Sequence, residues 1–162
     1  MREEYDKLLQ YAFYIISRKR YTAHEMRKKL KAYCSKHFGG DCGEELVNEV
    51  AGRMEELKYL DDEQFARDFV SERLRLRPRG KTIIRQELKF KGVERDLIES
   101  VFDEIYTDES EAAAAALEKR AGKLSKYPVP ARKHKAYQFL LSKGFKRDAI
   151  YRAIESCYNG RL

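Results

Sequence analysis

Apolar residues recur along most of this chain with a period near 3.6, the mark of helices that bury one face. Tyr5, Leu8, Leu9, Ala12, Phe13, Ile15 and Ile16 form the first such stripe. Thr22 and Glu25 stand at capping-box spacing, so a second helix is expected to start at Ala23 and turn Met26, Leu30 and Tyr33 inward. Residues 35–43, with Gly39 and Gly40 among them, read as a loop, and Leu46, Val47, Val50, Met54 and Leu57 then place a third helix. Asp61 and Gln64 suit the cap of a fourth, whose inner stripe is Phe65, Ala66, Phe69, Val70 and Leu74 and which Pro78 stops. Helices are expected next from Thr82 to Lys91 and from Arg95 to about Ile105. Asp108, Glu109 and Glu111 favour the positive end of a seventh helix, which runs through the alanines at 112–116. Gly122, Pro128 and Pro130 mark a loop, and two further helices end near Tyr158.

One part of this pattern occurs twice. Residues 88–106 return as residues 140–158, with Leu88/Leu140, Lys91/Lys143, Gly92/Gly144, Arg95/Arg147, Asp96/Asp148, Ile98/Ile150 and Tyr106/Tyr158 identical. Each copy has a helix ending at a glycine, a short turn and a second amphipathic helix. Such a pair cannot bury its stripe alone, so repetition implies neighbouring copies packed together. The fold expected is all-α: three tandem three-helix repeats, at 1–59, 60–107 and 108–162.

Composition adds a charge pattern. The net charge of +7 comes from 34 Lys and Arg against 27 Asp and Glu. Eight bases and one acid fall in residues 18–36, eight bases and Glu87 in 73–91, and ten bases with no acid in 119–147. The intervening stretches are strongly acidic. A single basic block usually solvates a helix face, but three blocks in register predict a positive surface for a polyanion or an acidic protein. The candidate contacts are Arg18, Lys19, Arg20, Arg27 and Lys28 in the first block. The second supplies Arg73, Arg75, Arg77, Arg79, Lys81, Arg85 and Lys89, and the third Lys119, Lys123, Arg132, Lys133 and Lys135. Only Phe90 is an aromatic of the middle block, which gives little support to base stacking there.

Catalysis finds no footing. Gly80-Lys81-Thr82 resembles the end of a phosphate-binding loop, but the required first glycine is Arg75. His24-Glu25 begins like a zinc-protease motif, and its last ligand position is Lys28. Cys34, Cys42 and Cys157 are odd in number and lack CxxC spacing, which predicts reduced thiols in a cytoplasmic protein. Cys34, His37 and Cys42 do not complete a tetrahedral metal set. No metal or cofactor is expected. No apolar run approaches the ~18 residues of a membrane helix, and the polar N-terminus does not read as a signal peptide.

Over about residues 12–156 the chain resembles the RecX family of bacterial RecA modulators. The likeness rests on Arg20-Tyr21-Thr22 with Glu25, Met26, Lys29 and Leu30, and on Leu60-Asp61-Asp62 with Phe65-Ala66 and Arg73. It continues in Arg79-Gly80-Lys81 with Ile84, Glu87, Leu88 and Lys91-Gly92-Val93, then in Phe139-Leu140 with Lys143-Gly144-Phe145 and Ile150. Met26 replaces the family's usual Leu, and residues 34–42 look like an insertion. The resemblance implies that the tandem three-helix repeats form an elongated, curved helical array. It also implies a monomer that binds RecA filaments on DNA and suppresses ATP hydrolysis and strand exchange in repair, recombination and the SOS response. It carries over no catalytic residues. The alternative is a helical module that binds nucleic acid on its own through its basic face.

Overall fold

The computed structural model describes residues 2–40 and 42–159; they form nine helices and no strand. The first three are α1 (Arg2–Ile16), α2 (Ala23–His37) and α3 (Glu44–Glu56). Next come α4 (Asp62–Leu76), α5 (Lys81–Phe90) and α6 (Arg95–Ile105). The last are α7 (Glu109–Leu124), α8 (Val129–Ser142) and α9 (Arg147–Tyr158). Each expected helix is present. The chain divides into two compact units, Met1–Ala66 with Lys89–Glu94, and Arg67–Leu88 with Arg95–Leu162.

In the first unit α1, α2 and α3 pack on one another around Leu8, Ala12, Met26, Leu30, Val47, Val50 and Met54, all fully buried. The capping box forms as the sequence predicts. The Glu25 N–H donates to Thr22 Oγ1 at 3.1 Å, and the Thr22 N–H donates to Glu25 Oε2 at 3.2 Å. Thr22 is itself wholly buried, and its hydroxyl donates to the Lys91 carbonyl at 2.5 Å. Lys91 Nζ pairs with Glu25 Oε1 at 2.9 Å, so the start of α2 is fastened to the turn after α5. That turn requires Gly92, at φ +79°, where a Cβ would also run into the His24 side chain.

The cysteines depart from expectation. Cys34 and Cys42 are joined by a disulfide, with Cα atoms 5.5 Å apart; Cys157 is the free thiol. Counting and spacing point to reduced thiols, but spacing does not register that the α2–α3 loop doubles back. Cys34 faces the core from the last turn of α2, and the loop returns Cys42 to bonding distance.

In the second unit α7, α8 and α9 pack on one another. Ala112, Ala113 and Ala116 of α7 and Ala149 and Ala153 of α9 are buried, and their small side chains let the two helices approach closely. Leu88 and Leu140, the matched leucines of the two copies, are both fully buried. The loop after α4 meets the turn after α8 backbone to backbone. The Gly80 N–H donates to the Lys143 carbonyl at 2.8 Å, and a Cβ on Gly80 would overlap the carbonyl of Gly144. Tyr106 braces the same loop, its buried hydroxyl donating to the Arg79 carbonyl at 2.8 Å. Burial pushes that phenol well above its ordinary pKa, so it stays a donor.

Candidate nucleic-acid interface

Many cations of the basic blocks hold the fold together. In the first unit Arg27 reaches from α2 to α3, with Nε on Asn48 Oδ1 at 3.2 Å and Nη2 on Glu55 Oε1 at 2.7 Å. Arg18 lies over the Tyr14 ring and Lys19 over Tyr21, at 4.7 and 4.5 Å from the centroids. Arg20 and Lys28 are exposed, and Lys89 is exposed at the end of α5 beside Phe90, which is 86% exposed.

In the second unit Glu87 gathers two arginines, Arg73 at 3.0 Å and Arg79 at 2.8 Å. Arg85 grips Glu99 with both arms of its guanidinium, at 2.6 and 3.1 Å. That hydrogen-bonded pairing holds the Glu99 carboxyl below its usual range and raises Arg85. Lys81 lies over the rings of Tyr106 and Phe102 at 5.3 and 5.7 Å. Its backbone N–H, at the start of α5, donates to Glu109 Oε1 at 3.0 Å. The helix N-terminus that resembles a phosphate loop therefore already carries a carboxylate. Arg132 donates to the carbonyls of Ser125 and Tyr127, and Lys133 Nζ to Asn159 Oδ1.

The remaining cations converge. A cleft of about 520 Å³ is lined by Leu76, Arg77, Pro78, Arg79, Ala116, Lys119, Arg120, Lys123, Phe139 and Lys143. A second, of about 560 Å³, adds Lys126, Tyr127, Lys135 and Gln138 and shares Arg120, Lys123 and Phe139 with the first. The two make one trough beside α7 and α8. It brings Arg77 and Arg79 of the middle block against Lys119, Lys123 and Lys135 of the third. No carboxylate lines either part. Arg79 is taken by Glu87, and Lys119 Nζ donates to the Arg75 and Leu76 carbonyls, closing the end of α4. Arg77, Arg120, Lys123, Lys126, Lys135 and Lys143 have no ion-pair partner among the described residues. Arg75 is exposed just outside.

The chain matches known proteins over nearly its whole length. Residues 61–101 fit the family model of the RecX second three-helix domain, and residues 107–154 that of the third. The regulatory protein RecX of Haemophilus influenzae strain PittEE is 31% identical, over 85% of this chain and 86% of its own. The chain belongs to the RecX family. Regulatory protein RecX of Cronobacter sakazakii is also 31% identical, over 95% of this chain and 96% of its own. The RecX crystal structure from Lactobacillus salivarius superposes with a TM-score of 0.81 at 24% identity, covering 96% of this chain and 97% of that one. Its likeness fixes the fold, in which α4–α6 and α7–α9 are successive RecX three-helix domains. Both relatives bear the name of a regulatory protein.

Sequence reasoning misses several lining residues of the trough in this RecX-family chain. Arg120, Lys126 and Lys143 sit in the third basic block without standing out from it. Phe139 enters the sequence reading beside Leu140 in the family likeness, and Tyr127 falls in the loop that Gly122 and Pro128 mark; both are only partly buried. Their signal is nonetheless present: each aromatic lies among lysines and arginines within the acid-free stretch 119–147.

Proposed function

We propose that the chain regulates recombination by binding RecA filaments on DNA and lowering their ATP hydrolysis and strand exchange. What carries the reading is the acid-free cationic trough, found in a chain of a regulatory family. Six unpaired cations in one concavity face a polyanion at little cost, because no internal ion pair has to break first. The reading that a lone helix-turn-helix enters a DNA groove fares worse. Its reading helix, α6, exposes Asp96, Asp103 and Glu104, which phosphates repel.

The test is a titration of the protein into RecA assembled on single-stranded DNA, with ATPase and strand exchange followed together. The intact protein is expected to suppress both at stoichiometric ratios. The triple variant Arg77→Ala, Lys123→Ala, Lys135→Ala should need several-fold more protein for the same effect, with an unchanged melting profile. If the intact protein alters neither rate, the reading fails.

A further inference from the structure

The trough contains more than charge. Each of its two aromatic rings holds a pair of cations. Arg120 and Lys143 lie over Phe139, at 4.9 and 5.6 Å from the ring centroid. Lys135 and Lys126 lie over Tyr127, at 4.5 and 5.2 Å. None of the four is neutralised by a carboxylate among the described residues. A basic surface built only for solvation, or for the acidic side chains of a protein, has no need of ring faces at its floor. A surface that tracks a strand of nucleic acid uses both parts: cations for the phosphates, rings for the bases.

We propose that the trough beside α7 and α8 holds single-stranded nucleic acid, phosphates on its unpaired cations and bases stacked on Phe139 and Tyr127. This rests on the filament reading above and says which filament component the trough meets. The cations now over the rings are placeholders, Arg120, Lys126 and Lys135 exposed and Lys143 half-buried. When a strand enters, each moves to a phosphate, where opposite charge holds it more strongly, and the vacated ring face takes a base. The exchange improves both interactions. A duplex cannot make it, because its bases are already stacked on one another and pulling one out has a cost. Arg77 and Lys123, which touch no ring and no acid, extend the phosphate track through both halves of the trough.

The experiment omits RecA. Fluorescence anisotropy of a labelled oligo(dT) strand, and of a duplex of matched length, is measured against the intact protein over a range of salt. The single strand is expected to bind at least several-fold more tightly than the duplex. Two variants separate the contributions. Phe139→Leu with Tyr127→Leu should weaken single-strand binding about tenfold or more with the salt slope unchanged. Arg77→Gln with Lys123→Gln should lower the slope by about 1.4, at roughly 0.7 for each phosphate of a single strand that is no longer neutralised. Both glutamine positions are exposed, so this second variant stays informative if the aromatic one folds poorly. Equal affinity for strand and duplex, or full affinity in the leucine variant, overturns the proposal. So does an unchanged slope in the glutamine variant. Failure of this proposal with RecA ATPase still suppressed would leave the filament reading standing, with the trough meeting protein.

Discussion

A methyl group at position 80 would sit on the backbone of residues 144 and 145, which cannot swing aside as a side chain can. Gly80→Ala is therefore expected to destabilise by about 3 kcal/mol or more, the upper range of overpacking. Gly122→Ala is the control, since a Cβ there meets nothing within 4 Å and helix propensity favours it by up to about 1 kcal/mol. Urea unfolding of the two variants checks the contrast, and a neutral Gly80→Ala would mean that the two turns do not touch. Glycines 92 and 144 also face distant side chains, but they are legible from sequence because one reason for each is local, a helix end at φ +79° and +82°. The reason for Gly80 is a neighbour from the far copy of the repeat, and a linear reading finds only a turn former.

Helices are legible for the same reason of locality: their periodicity, caps and stops all act within a turn or two. What the helices do to one another is not. Arg73 finds Glu87, and Arg85 finds Glu99, each 14 residues away across a turn, so basic blocks that look free in sequence are partly consumed inside the fold. The Arg85–Glu99 pair links α5 to α6 and gives a signed pH dependence. Its pairing depresses the Glu99 pKa in the folded state relative to the unfolded chain. The stability it contributes is thus present above the ordinary glutamate value of 4.5 and is lost as pH falls through the lower, folded value. Glu99→Gln should cost under about 1 kcal/mol at neutral pH, since the pair is partly exposed and screened. Thermal melts from neutral pH into acid should show the two proteins converging as pH falls. A gap that widens in acid would contradict the pairing.

Across the whole molecule, the alternation of basic and acidic stretches is plain in sequence, and it says that positive charge is concentrated. It does not say which cations share a concavity. Arg77 and Lys123 lie far apart in the chain and line one cleft because Gly80 brings the α4–α5 loop against the turn after α8. The disulfide is hidden for a similar reason, being made by a loop that doubles back. Its effect belongs to the unfolded chain as much as to the folded one. Closing residues 34–42 into a ring removes conformations that the denatured chain would otherwise explore, worth about 2–3 kcal/mol for so short a ring. Denaturant titrations with and without a dithiol reductant should show the midpoint falling on reduction in the intact protein and not in Cys42→Ser. Coincident curves for the intact protein would mean that the bond is absent. The molecule therefore has two denatured ensembles of different breadth, and its stability follows the thiol–disulfide poise of its surroundings as well as temperature and pH.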